Sequence, residues 1–243
     1  MKMVLRLAAV AVLMVVPFAA LADSLSEDRV KELVLEAIRE NPEIVIEAVR
    51  IIEQREQQRQ AAAAATVLSD NRDLLENDPN APVLGNPEGD VTVVEFFDYN
   101  CPYCRRVKPH IEALLEEDPN VRLVYREWPI LGHGAVFAAR AALAAREQGK
   151  YEEFHWALMG MSGRAEEASV IQVAQQVGLD IPQLRRDMNS PEIEAHIAAS
   201  MELSRALGFN GTPSFVIGDA LVPGVIEADQ MIRLAEEARA ARQ

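Results

Sequence analysis

The 243-residue chain carries 24 basic and 38 acidic side chains, for a net charge of −14. Such acidity excludes a nucleic-acid partner, because phosphate binding needs a basic footprint. There are two cysteines, Cys101 and Cys104. That excludes a disulfide-stapled scaffold, which uses many more at wide spacing.

In chain order, Lys2 and Arg6 precede the apolar run Leu7 to Val16, then Pro17 and Ala19-Ala20-Leu21-Ala22 ahead of Asp23-Ser24. A basic start, a short apolar run and a small-x-small end predict a secretory signal peptide over residues 1–22. The run falls short of the ~20 residues that span a bilayer. The expectation is a soluble protein exported to the periplasm.

Residues 28–60 read as helix. Val30, Leu33, Val34, Ala37 and Ile38 mark one apolar face, and Asn41-Pro42 reads as an N-cap with proline at the first helical position. A second stripe follows at Ile44, Val45, Ala48, Val49 and Ile52. Glu53 to Gln60 is polar, and Ala61 to Ala65 forms helix with little to pack. Asp78-Pro79-Asn80-Ala81-Pro82 breaks the pattern. Residues 23–75 are therefore expected as a separate helical segment, and 76–243 as a second domain.

Val91 to Phe97 reads as a buried strand by its β-branched and aromatic content. Cys101-Pro102-Tyr103-Cys104 opens a helix to about Glu117, with a bend expected at Pro109. Asp118-Pro119-Asn120 turns the chain into a strand over Val121–Arg126. Residues 134–207 are helix-rich. Gly211-Thr212-Pro213 precedes a short strand, Ser214–Ile217, with another at Leu221-Val222 and a closing helix over Glu227–Arg239. The layout is α/β.

The cysteine pair closes too small a loop to brace a fold, but it suits a redox couple. Disulfide exchange needs a thiolate, so the attacking cysteine needs a lowered pKa. Cys101 falls at the start of its helix, where unpaired N–H groups and the positive dipole end favour an anion. Pro102 suits the first helical position, having no N–H to orphan. Cys104, one turn along and facing inward, can attack the mixed disulfide. The expected roles are nucleophile for Cys101 and resolving thiol for Cys104, with their redox-active disulfide as the sole cofactor. A structural zinc would need four ligands, and no second cysteine pair exists. Cu(I) held by the same two thiols is the alternative.

Glu95 sits mid-strand, six residues before Cys101. Because the surrounding run is apolar on both faces, Glu95 is expected to be buried, with a raised pKa, and able to exchange protons with Cys104. The competing reading points it to solvent. Proline opening a strand often follows a cis bond, so Thr212-Pro213 is a candidate to pair its backbone with an extended substrate. His110, His133, His155 and His196 show no metal or triad spacing and read as surface or packing residues.

Val94-Glu95-Phe96-Phe97-Asp98-Tyr99-Asn100-Cys101-Pro102-Tyr103-Cys104, the helical excursion, and Gly211-Thr212-Pro213-Ser214-Phe215 together resemble the DsbA family. The resemblance covers residues 83–243. It implies a thioredoxin-like fold with a helical insertion over about 133–207 and disulfide oxidoreductase or isomerase activity. Its buried acid falls on Glu95, its cis-proline on Pro213 with Thr212 before it, and its substrate contacts on Thr212, Pro213, Pro102 and Tyr103. Strongly oxidising members have histidine where this chain has Tyr103, so a milder oxidant is expected.

The stretch Val30–Gln57 resembles the N-terminal segment of suppressor-of-copper-sensitivity C (ScsC) proteins. Its stripes predict a homo-oligomer, with docking onto the chain's own catalytic domain as the competing reading, and the resemblance implies a trimer. The implied partners are reduced or misoxidised exported proteins, with a DsbB-like oxidase or a DsbD/ScsB-like reductase in the membrane.

Overall fold

A computed structural model describes residues 26–241, which fall into two compact units, one up to Glu56 and one from Gln57 onward. The expected leader, 1–22, lies outside the described residues.

In the first unit, helix α1 (Glu27–Glu40) starts at Ser26, whose side chain accepts the N–H of Arg29 at 3.3 Å. Glu27 and Asp28 in its first turn suit the positive dipole end. Asn41 ends α1 by returning its N–H and its side-chain amide to the Ala37 carbonyl, at 2.9 and 3.4 Å. Helix α2 (Glu43–Asn77) therefore starts at Glu43, one residue after Pro42. No described residue up to Glu56 is buried, and both apolar stripes, including Val34, Val45, Val49 and Ile52, lie open to solvent.

The second unit begins inside α2, not at the proline-rich break. Leu68 and Leu75 of that helix are fully buried in a cluster with Val94, Phe96, Val124, Leu203 and Val216. Their seven-residue spacing places both on one helical face.

Five strands form one sheet in the order β1-β3-β2-β4-β5. They are β1 (Val83–Gly85), β2 (Val91–Phe97), β3 (Val121–Glu127), β4 (Ser214–Ile217) and β5 (Ala220–Pro223). β2 and β3 are parallel, joined by helix α3 (Pro102–Glu117), and the other pairings are antiparallel. Pro109 lies inside α3, which runs on through it. β1 has no sequence signal of its own. It is three residues long and takes its ladder from β3.

Every residue of β2 is buried, because both sheet faces are covered. Val93 and Phe97 join the larger core cluster with Val107, Ile111 and Leu114 of α3 and Met231 of the closing helix α4 (Ala228–Ala240). Val94 and Phe96 join the smaller cluster with α2. Alternation places Glu95 on the α3 side. Between β3 and β4 the helices are His133–Ala144, Tyr151–Gly160, Glu167–Gln176, Ile181–Asp187 and Pro191–Ala206, with a 3₁₀ turn at Ala145–Gln148. The fold is therefore α/β and thioredoxin-like, with the helical excursion inserted between its two strand motifs.

A buried ionic network ties the chain beyond α2 to β3 and to the Pro191–Ala206 helix. Arg126 donates to Asp78 at 2.7 Å, and His196 bridges Asp78 and Glu127 at 3.2 and 2.7 Å. Tyr151 donates to Glu127 at 2.7 Å. Burial alone would lower the His196 pKa, but the two carboxylates raise it above the ordinary imidazole value. Charges this deep persist only when paired.

Candidate active site

β2 runs out into Asp98-Tyr99-Asn100, and the turn closes when the Cys101 N–H donates to the Asp98 carbonyl at 3.0 Å. Cys101 is the N-cap of α3, with extended backbone (φ −80°, ψ 118°), and Pro102 occupies the first turn. Arg105 N–H donates to the Cys101 carbonyl at 3.2 Å, the first bond of the helix. Cys104 lies one turn along and faces the core.

β4 pairs antiparallel with β2, Ser214 opposite Phe96 and Phe215 opposite Glu95. This register brings the loop before Ser214 to the carboxyl end of β2, beside the cysteines. The Thr212–Pro213 peptide is cis, and the Cys101 thiol donates to the Thr212 carbonyl at 3.1 Å. The Pro213 carbonyl accepts the Gly224 N–H at 2.8 Å.

Both thiols are free and buried, yet they differ. Cys101 is lowered to about 6 by the Cys104 thiol, which can donate to its sulfur, and by the N–H groups of Cys104 and Tyr103, against burial. Cys104 is raised well above the thiol range by burial, by its bond to Cys101 and by the charge of Glu95. Glu95, 1 % exposed, is raised by burial and by the neighbouring Cys101 thiolate. Its Oε1 makes no hydrogen bond to a described residue. Pro102 is exposed, and Tyr103 is 56 % exposed at the mouth of the site.

Cys101, Cys104, Glu95, Thr212 and Pro213 thus converge, with Pro102 and Tyr103 at the rim. The arrangement offers one readily ionised sulfur, one held neutral beside it, and a buried carboxyl able to hold a proton. His155 is buried against Tyr99, and burial lowers it to about 3.

Sequence reasoning passed over Asp98, Asn100 and Arg105. Asn100 exchanges two hydrogen bonds with the Ala165 backbone, at 3.0 and 2.7 Å. Arg105 donates to the carbonyls of Tyr99, Met161 and Gly163. An Asp and an Asn before a helix start read only as turn formers. Their partners in the insertion are remote in sequence.

Residues 92–236 match the sequence model of the DSBA-like thioredoxin domain. A thioredoxin-like oxidoreductase from Silicibacter pomeroyi is 69% identical, with a TM-score of 0.69 over 70% of this chain and 98% of that one. A linker-deletion mutant of Proteus mirabilis ScsC is 28% identical, with a TM-score of 0.69 over 93% of this chain and 100% of that one. Among curated proteins, Na(+)/H(+) antiporter NhaA 3 of Salinispora tropica is 31% identical over 167 residues, 64% of this chain and 26% of that protein. The chain spans about a quarter of the length of such curated relatives. No helix among the described residues is long and apolar enough to cross a membrane.

Proposed function

The chain belongs to the DSBA-like thioredoxin domain family, whose members are thiol–disulfide oxidoreductases, and on that premise we propose that it forms or rearranges disulfides in proteins exported to the periplasm. One observation carries the reading. Within a single helical turn, Cys101 is pulled to about 6 while Cys104 is pushed well above the thiol range.

The chemistry follows from that asymmetry. In the oxidised protein, a substrate thiolate attacks the Cys101 sulfur. The Cys101–Cys104 bond breaks, and its electron pair leaves on Cys104, the poorer anion, which takes a proton held at Glu95. A second substrate thiolate then attacks the substrate sulfur of the mixed disulfide and expels Cys101 as its stabilised thiolate. The substrate has lost two electrons, and the cysteine pair has gained them. In the reduced protein the Cys101 thiolate opens a wrong disulfide, and a substrate thiol closes the correct one. The low leaving-group pKa of Cys101 speeds its release. The Thr212 carbonyl, 3.1 Å from the Cys101 sulfur, supports pairing with an extended substrate backbone at this position.

A membrane redox partner resets the pair: a DsbB-like oxidase if it works as an oxidant, a DsbD/ScsB-like reductase if it works as an isomerase. Tyr103 between the cysteines and the apolar helical segment before Gln57 favour the isomerase. The segment supports self-association as a trimer, which would group several catalytic domains. The basic-apolar-small pattern of residues 1–22 supports export.

Thiol trapping of the pair in intact cells tests the direction of flow. A mostly reduced pair is expected, and a mostly oxidised pair would assign the oxidase role instead. A Cys101→Ser protein should lose insulin reduction entirely; turnover at the normal rate would discard the whole reading.

A further inference from the structure

One histidine sits between two carboxylates deep in the second unit, and it joins three segments. The His196 ring is buried, with Nδ1 3.2 Å from Asp78 Oδ2 and Nε2 2.7 Å from Glu127 Oε2. Asp78 immediately follows α2, Glu127 ends β3, and His196 lies on the Pro191–Ala206 helix. A neutral imidazole carries a single N–H, so either tautomer would turn a lone pair toward one of the two carboxylate oxygens. Only the imidazolium donates to both. The charges agree. Arg126, which donates to Asp78, and an imidazolium make two cations against two carboxylates, whereas a neutral ring leaves one buried negative charge uncompensated. Tyr151 occupies the other oxygen of Glu127, and the Asn80 N–H the other oxygen of Asp78. Arg140 of the His133–Ala144 helix is taken up by Glu194, so it does not supply the missing charge.

We propose that His196 is a proton-operated latch that holds the end of α2 to the catalytic domain. Protonated, the ring clasps Asp78; neutral, it keeps the shorter contact to Glu127 and releases Asp78. The turn so held follows the helix that fills the smaller core cluster through Leu68 and Leu75. The last turn of α2 has no basic residue of its own, and β3 supplies the cations there. Arg122 donates to the Glu76 carbonyl at 2.8 Å and Arg126 to the Leu74 carbonyl at 3.3 Å. Because Arg126 also holds Asp78, the clasp and the helix end form one assembly. Acid therefore tightens the attachment of α2, and alkali loosens it. Burial lowers the His196 pKa, but the two carboxylates carry it above the ordinary imidazole value. The clasp is thus complete below the ordinary value and is lost as pH rises through the raised one.

Hydrogen exchange and histidine NMR on the full chain, across roughly pH 6 to 9 on either side of an imidazole titration, test the latch. The Asn80 and Ala81 N–H groups report the clasp, because they donate to the Asp78 carboxylate and carbonyl at 2.9 and 3.0 Å. Their protection factors should fall about tenfold or more over this range, as expected for losing a hydrogen bond to a charged group. Those of β2 should stay level. The fall should track the His196 ring titration, with both ring nitrogens protonated at the acid end. Level protection at Asn80 and Ala81, or a neutral ring at the acid end beside a protonated Glu127, overturns the proposal. His196→Gln cannot titrate, so protection at both groups should be low and independent of pH; a fall like that of the wild type overturns it too. If that variant does not fold, Glu127→Gln, which takes one carboxylate from the ring, should open the clasp at lower pH. An unshifted opening there counts equally against the latch.

Discussion

Cys101 and Cys104 are both buried, yet their thiols are driven in opposite directions: at Cys101 the hydrogen bond from Cys104 outweighs burial, while at Cys104 burial leads and the bond to Cys101 and the charge of Glu95 add to it. Because Cys101 falls to about 6, below the ordinary ~8.5 of a free thiol, its ionisation stabilises the reduced fold. That stabilisation is complete above the ordinary value and is lost as pH falls through about 6. Alkylation of reduced protein should follow the same curve, falling about tenfold per pH unit below 6 and levelling above it. Glu95 has the opposite sign. Burial raises it, so the fold keeps a proton that the unfolded chain has released, and the residue costs stability once pH exceeds the ordinary carboxylate value. Glu95→Gln should therefore be more stable than wild type at pH 7, with the gain fading toward pH 4 in urea titrations. It should also clear a trapped mixed disulfide roughly ten- to a hundredfold more slowly. Equal resolution rates would remove Glu95 from the proton path. Glu95 was legible because a lone charge inside an apolar strand demands an account. Asp98 was not, because an acid in a polar turn demands none.

At the scale of elements, α2 is the instructive case. Its first half shows clear apolar stripes, while its second half, through Ala61–Ala65, shows almost none. Yet Leu68 and Leu75 in that second half are the buried ones. Periodicity marks a face that must be covered, not which surface covers it. Leu75→Ala should cost about 2–5 kcal/mol in urea unfolding, and a loss under ~0.5 kcal/mol would show that α2 is dispensable to that core. β1 escaped notice for a related reason: three residues cannot show alternation, and only the edge of β3 makes them a strand. The longer strands lay within a residue of their expected ends, and helices run from His133 to Ala206 across the stretch expected to be helix-rich.

For the whole molecule, the exposed residues before Gln57 pose the question of assembly. Val34, Val45, Val49 and Ile52 present more apolar surface than a lone soluble chain usually shows. The second unit has its own core from Gln57 on. A 57–243 protein should fold, sediment as a monomer and reduce insulin within about twofold of the full chain, while losing most refolding of scrambled ribonuclease. Undiminished refolding by that monomer would dismiss the need for several linked catalytic domains.

Local chemistry is written locally, so the chain alone already pointed to the α/β class, to two neighbouring thiols at a helix start and to a buried acid behind them. A helix start makes an anion site through its own backbone, and the end of β2 with the three-residue turn after it sets the reach from Glu95 to Cys101. What folding added depends on partners remote in sequence. The β2–β4 register delivers the Thr212 carbonyl to Cys101, and the Asp98 carboxylate reaches across to Leu131. Arg126, Asp78, His196 and Glu127 neutralise one another deep in the domain. Each of these requires two distant segments to be buried against each other, and a one-dimensional pattern records only that each segment has something to bury.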